Sequence, residues 1–104
     1  MKILIDLRKM SKNPSGIGIY TFSFILALLK YSSYTIIGVT DVKESYEIKR
    51  IEKLGVCIYQ YGKEVNKSIE VIKYFKFIKR IIIEVNPDYF WETNKYIADK
   101  LAKK

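Results

Sequence analysis

The sequence predicts a single α/β domain, residues 1–104, of half-Rossmann type: three layers, α/β/α, around a four-stranded parallel sheet. Short apolar runs typical of buried strands alternate with longer segments of helical periodicity. Strands that are joined by helices of this length pair in parallel through right-handed crossovers. The simplest strand order for four such strands is 3-2-1-4.

The elements follow one another regularly along the chain. The run KILIDL at 2–7 predicts the first strand, and the apolar segment after NPSG predicts a helix at about 16–30. The remaining predictions are a second strand at 34–40, a short helix near 44–54, a third strand at 55–61, a helix at about 67–85, a fourth strand at 88–92 and a polar helix at about 94–104.

The two middle helices are each expected to bury one side. Ile48, Ile51 and Leu54 share a face of the shorter helix. Pro87 ends the longer helix, because proline lacks the N–H that a helix interior needs. At 3.6-residue spacing, its expected core side consists of Val71, Phe75, Ile78, Ile82 and Val85.

Metal and disulfide chemistry are not expected. The chain has no histidine and a single cysteine, Cys57, in the apolar run GVCIY. A lone cysteine without histidine forms neither a zinc site nor a disulfide within one chain. We predict that Cys57 is a buried small hydrophobic side chain, and that the protein uses no metal and no cofactor.

The net charge of +8 raises the question of a nucleic-acid partner. The excess comes from lysine spread over the whole chain, whereas arginine, which reads bases and phosphates in forks, occurs only at Arg8, Arg50 and Arg80. We therefore expect a solvated lysine surface and no nucleic-acid binding. The N-terminus lacks a signal-peptide pattern and the apolar stretch at 17–29 is too short to span a bilayer, which predicts a soluble cytoplasmic protein.

Two surfaces are candidates for contacts with partners. In KYFKFIKR at 73–80, Lys73, Lys76 and Arg80 point away from the core side with apolar neighbours. We interpret this as a solvated face, with weak contact to an anionic membrane as the alternative. The aromatic fourth strand (DYFWE) has an outer edge that only the weak terminal helix could cover, so we predict a homodimer through that edge.

A ligand is expected at the carboxyl ends of the strands, where the chain reverses direction between strands 1 and 4. Segments 8–18 and 92–94 end there, which makes Arg8, Glu92 and Asn94 candidate ligand-binding residues. The loop NPSGIGIYTF adds Gly16 and Gly18, whose free N–H groups at a helix start suit a phosphate. Glycine that merely permits a tight turn is an equally good interpretation.

Ser15 is a suitable N-cap for the helix that follows this loop. The dinucleotide-binding fingerprint does not fit, because its third glycine position is occupied by Thr21. Asp41 lies where a ribose-binding acid would stand, but an aspartate that ends a strand is a common turn residue. We predict that the 15–18 turn, and not Asp41, forms the anion site.

The opening MKILIDLRKMSKNPSGIGIYTFSFILALLK resembles the start of GT-B fold glycosyltransferases of family 4, and NPDYFWETN resembles the fourth strand of that family. The resemblance covers essentially the whole chain. It implies that Ser15, Gly16 and Gly18, with Arg8 and Tyr20 nearby, lie beside a donor diphosphate and an acceptor. Ile19 departs from the pattern, because that position is often basic in the family.

The resemblance implies the N-terminal, acceptor-side part of a glycosyltransferase, without the rest of that domain and without the donor-binding domain. Nucleotide-sugar and acceptor would then bind only in a full-length context, and we expect no transferase activity from the chain alone. Two alternatives stay open: a free-standing nucleotide- or phosphate-binding α/β module, and a basic protein that interacts with membrane or nucleic acid.

Overall fold

The computed structural model describes residues 1–12 and 16–92, and its centre is a four-stranded, all-parallel sheet. The strand order is β3-β2-β1-β4, which confirms the predicted fold class and order. The strands are β1 (Lys2–Asp6), β2 (Thr35–Thr40), β3 (Cys57–Gln60) and β4 (Tyr89–Trp91). The helix predicted at 94–104 lies outside the described residues.

Helices connect the strands as the alternating pattern predicts. They are α1 (Ile17–Tyr31), α2 (Tyr46–Lys53) and α3 (Ser68–Val85). A 3₁₀ turn, Arg8–Met10, follows β1 directly. The side chain of Ser45 caps α2 by accepting a hydrogen bond from Ile48 N at 3.1 Å, and Asn86 ends α3 in the left-handed conformation.

The sheet separates two hydrophobic cores, which is the reason for the three layers. Alternate side chains of β1 point to opposite faces: Ile3 and Ile5 pack with α1 and α2, whereas Leu4 packs with α3. Both cores are rich in fully buried side chains, including Ile25 of α1 and Ile78 of α3. The result is a Rossmann-like α/β/α arrangement.

The centre of the sheet is tightly packed around Gly38 of β2. A Cβ placed on Gly38 would overlap Leu7 Cδ1 and come within 3.1 Å of Leu7 Cγ. Leu7 is completely buried, and its N–H donates to Val39 O at 2.8 Å, one residue beyond the end of β1. This hydrogen bond fixes the position of the carboxyl end of β1 relative to that of β2.

Two predicted core positions are wrong. Cys57 is exposed, because it begins β3, the edge strand that pairs with β2 alone among the described strands. Leu54 is 48% exposed, because α2 ends at Lys53 and the backbone of Leu54 has already left the helical conformation.

The buried side of α3 is turned slightly from the predicted one. Phe75, Ile78 and Val85 are buried as predicted, and Tyr74 and Ile81 are buried beside them. The predicted members Val71 and Ile82 are only half-buried.

None of the helices in residues 1–12 and 16–92 is long and apolar enough to cross a lipid bilayer.

Candidate ligand-binding site at the carboxyl edge of the sheet

A cavity of about 430 Å³ opens at the carboxyl ends of β1, β2 and β3, on the side of the sheet that α3 covers. Four parts of the chain surround it: the segment after β1 that begins with the 3₁₀ turn, the residue after β2, the loop between β3 and α3, and the first turn of α3. We call it the arginine cavity. It is lined by Arg8, Lys9, Ser11, Lys12, Asp41, Glu64, Val65, Asn66 and Val71.

Arg8 provides the most distinctive group in this cavity. Its guanidinium lies over the ring of Tyr74, with Cζ at 4.9 Å from the ring centroid. Its Nη2 is buried, and no hydrogen-bond acceptor among residues 1–12 and 16–92 reaches it. Buried polar atoms nearly always have a partner, and a guanidinium donor is well suited to phosphate or carboxylate oxygens. Arg8, which lines the cavity, therefore carries a positively charged donor that the described residues do not satisfy.

Tyr74 of α3 supports the Arg8 guanidinium from the interior of the protein. It is completely buried, and its hydroxyl donates to Asp6 Oδ1 at 3.0 Å. Burial raises the pKa of Tyr74 well above its usual value, and the negative charge of Asp6 raises the pKa further. Tyr74 therefore remains a neutral donor. Asp6 Oδ1 also accepts from Arg8 N at 3.1 Å, so one carboxylate links the end of β1 to both residues.

Asp41 organises the opposite wall. It is 3% exposed, and its Oδ1 accepts from Val42 N at 2.8 Å while its Oδ2 accepts from Val65 N at 3.0 Å. The carbonyl of Asp41 accepts from Gly62 N at 2.7 Å. These bonds attach the loop before α3 to the end of β2. Asp41 thus shapes the cavity and adds a negative charge to its wall.

The mouth of the cavity carries an ion-pair group. Lys12 Nζ is 3.2 Å from Glu64 Oε2 and 3.8 Å from Glu44 Oε2. The hydrogen bond to Glu64 raises the pKa of Lys12, and the negative charges of Glu44 and Glu64 add to the effect. With Arg8 and Lys9, the lining holds three cationic side chains against the two carboxylates of Asp41 and Glu64.

The predicted site residues fall into two places. Of those that the structure describes, only Arg8 lines the arginine cavity. Gly16 is the N-cap of α1 and has φ +48°, a conformation that favours glycine. This conformational need accounts for Gly16 without a ligand. Gly18 is buried in the first turn of α1. Ser15 and Asn94 lie outside the described residues.

The remaining two predicted residues lie near the end of β4, and aromatic rings surround one of them. Tyr20 is 63% exposed, and its ring is 6.2 Å from that of Trp91 and 6.3 Å from that of Phe24, between centroids. The rings of Phe24 and Trp91 are 4.8 Å apart. Glu92 follows β4 directly and is half-buried. Apolar rings thus lie near the end of β4, where the chain reverses direction relative to β1, whereas the charged cavity lies at the ends of the strands on the other side of β1.

Sequence reasoning missed several residues of the cavity, namely Lys9, Ser11, Lys12, Glu64, Asn66 and the supporting Tyr74. A usable signal was present for the loop residues: the segment between the third strand and the longest helix also begins at the carboxyl edge of a parallel sheet. Tyr74 had no such signal, because its role depends on a partner, Asp6, that is 68 residues away in the chain.

In the part of the chain that the structure describes, no group of three or more His, Cys, Asp or Glu side chains is placed to hold a metal ion. The side chains that line the cavity, Arg8, the lysines and the polar residues, offer charge pairing and hydrogen bonding. Comparison of the chain with models of protein families, with curated proteins and with solved structures gave no significant match.

Proposed function

We propose that the protein binds a phosphate-bearing ligand in the arginine cavity, and that in a full-length context this cavity belongs to the acceptor-side domain of a glycosyltransferase that uses a nucleotide-sugar. The observation that carries the binding proposal is the buried Nη2 of Arg8, which has no acceptor among the described residues. Arg8 follows β1 at the edge where ligands of parallel α/β sheets bind.

The charges of the cavity favour a particular class of ligand. Arg8, Lys9 and Lys12 attract an anionic group, and Arg8 offers the donors that phosphate oxygens accept. Asp41 and Glu64 oppose a ligand that is anionic throughout, but carboxylates accept hydrogen bonds from hydroxyl groups. A sugar phosphate or the ribose-phosphate part of a nucleotide combines both features.

The wider proposal rests on the resemblance of residues 1–30 and 86–94 to family 4 glycosyltransferases. Sugar transfer requires a donor site that closes over the diphosphate and stabilises the charge that develops there. A single cavity of about 430 Å³ on one domain forms only one wall of such a site. We therefore expect binding but no transferase activity from these 104 residues.

The binding proposal is tested by following backbone amide signals during titration with UDP, with uridine as the control that lacks phosphate. We expect UDP to shift the signals of residues 8–12 and 64–66 and uridine to leave them unchanged. Arg8→Gln should weaken UDP binding about 10- to 100-fold, the usual range for a lost hydrogen bond to a charged group. Arg50→Gln, an exposed arginine of α2, is the matched control and should not change the affinity.

Two outcomes would contradict this assignment. Equal binding by UDP and uridine would exclude a phosphate site. Shifts confined to Gly16, Gly18 and Tyr20, unaffected by Arg8→Gln, would place the ligand at the start of α1 instead. The wider proposal predicts that the reading frame continues beyond Lys104 into a second α/β domain, and a stop codon at that point would contradict it.

A further inference from the structure

A second pocket, of about 280 Å³, lies beside α3 and is separate from the arginine cavity. Tyr61, just after β3, forms one wall, and the α3 side chains Lys73, Lys76, Phe77 and Arg80 form the other. We call it the α3 pocket. It shares no lining residue with the arginine cavity, so a ligand bound there would be independent of the function proposed above.

The apolar part of the pocket is a fixed pair of aromatic rings. The centroids of Tyr61 and Phe77 are 5.6 Å apart, and Tyr61 meets the buried Tyr74 edge-on at 5.7 Å. The hydroxyl of Tyr61 donates to Glu70 Oε2 at 3.0 Å, which orients the ring. Tyr61 and Phe77 are both half-buried. Both rings are therefore held in place by packing, and part of each ring remains accessible to solvent.

The charged part is a row of cations along one side of α3. Lys73, Lys76 and Arg80 follow one another at helical spacings of three and four residues, which places them on the same stripe. Lys73 has a weak ion pair with Glu70 at 3.9 Å. Lys76 and Arg80 form no ion pair with a carboxylate in residues 1–12 and 16–92. The pocket thus places two cations that form no ion pair with the described residues next to an aromatic surface.

We propose that the α3 pocket binds a small organic phosphate monoester, whose ring or apolar group packs on Tyr61 and Phe77 while its phosphate lies between Lys76 and Arg80. Apolar contact and charge pairing then act on the same molecule. A free anion gains only the exposed charge contacts, which water and salt weaken. A neutral ring gains only the apolar contact. A molecule that carries both groups should bind more tightly than either part.

The test uses phenyl phosphate as the probe, with inorganic phosphate and phenol as its two halves. Binding is followed through the amide signals of residues 73–80 and the ring signals of Tyr61 and Phe77, at an ionic strength of about 20 mM so that exposed charges are little screened. We expect phenyl phosphate to bind at least about fivefold more tightly than either half. Raising the salt to about 0.5 M should weaken the binding.

Three variants separate this site from general charge attraction. Lys76→Gln and Arg80→Gln should each weaken phenyl phosphate binding about two- to fivefold, because each removes one of the two cations that form no ion pair with the described residues. Phe77→Leu keeps an apolar side chain in the core and should weaken phenyl phosphate but not inorganic phosphate. Lys49→Gln, an exposed lysine of α2, controls for net charge and should have no effect.

Several results would overturn the proposal. Inorganic phosphate that binds as tightly as phenyl phosphate would show that the rings take no part. An equal loss from Lys49→Gln and Lys76→Gln would show non-specific attraction to a basic protein. Phenyl phosphate binding that is lost in Arg8→Gln but kept in Arg80→Gln would assign the probe to the arginine cavity. Binding to vesicles that contain phosphatidic acid, with no binding of soluble phenyl phosphate, would also refute a pocket for small monoesters.

Discussion

Replacement of Tyr74 by phenylalanine removes one oxygen atom from the centre of the candidate site. The ring remains, so the packing of α3 and the surface under the Arg8 guanidinium are retained. The hydroxyl that donates to Asp6 Oδ1 at 3.0 Å is lost. Asp6, which loses this donor, is itself completely buried.

The expected loss of stability is about 1.5–3 kcal/mol, the usual value for a hydrogen bond to a charged group. For a domain of this size, that corresponds to a fall of roughly 6–12 °C in melting temperature. Urea unfolding followed by circular dichroism measures the difference directly. Tyr46→Phe, at a tyrosine that is 68% exposed, is the matched control and should stay within about 0.5 kcal/mol of the wild type.

The same substitution has a second signature at high pH. The pKa of Tyr74 is raised in the folded protein, so the folded state keeps this proton longer than the unfolded state does. Stability from this group is fully present below the pKa of tyrosine in an unfolded chain, which is about 10, and is lost as the pH rises through that value towards the folded-state pKa. Between about pH 9 and pH 10.5, the wild type should lose on the order of 1 kcal/mol more than Tyr74→Phe.

Two results would refute this reasoning. If Tyr74→Phe unfolds within about 0.5 kcal/mol of the wild type, the hydroxyl does not stabilise Asp6 and the proposed support of the cavity is wrong. If both proteins lose stability in parallel above about pH 10, Tyr74 ionises as readily in the folded state as in the unfolded state, which its burial forbids. Binding of UDP should change far less in Tyr74→Phe than in Arg8→Gln, because the ring beneath the guanidinium remains.

Three further predictions concern the fold and its edges. Gly38→Ala should destabilise the protein by about 1–3 kcal/mol, because the new methyl group overlaps Leu7. This loss is expected although alanine suits a strand better than glycine. Equal or greater stability of the variant in urea unfolding would contradict the prediction. Ser45→Ala should cost about 0.5–2 kcal/mol in the same assay, because the cap on Ile48 N is lost, and an unchanged midpoint would show that the cap is redundant. One edge of β4 pairs with β1, and we predict that chains associate through its other edge. Association should increase with salt, because screening reduces the repulsion between chains of charge +8. A monomer at every salt concentration in sedimentation velocity would exclude it.

The fold could be predicted because its signals are local. Apolar runs such as ILI at 3–5 and VCIY at 56–59 are separated by segments of helical periodicity, which predicts parallel strands with helical crossovers. The handedness of these crossovers then limits the strand order. The structure has β1 at Lys2–Asp6 and α3 at Ser68–Val85, close to the predicted 2–7 and 67–85. Where burial depends on neighbours, as at the edge-strand Cys57, the same local reasoning was wrong.

By itself, then, the sequence determined the strand order and placed Arg8 at the carboxyl edge of the sheet, because strand and helix periods and crossover rules act within short stretches of chain. Tertiary structure alone decided what surrounds Arg8. Tyr74 comes from a helix more than sixty residues away to stack on it, and Asp41 reaches 24 residues along the chain to hold Val65 N. Contacts at such separations depend on how the layers pack, and no local pattern encodes which side chains will meet.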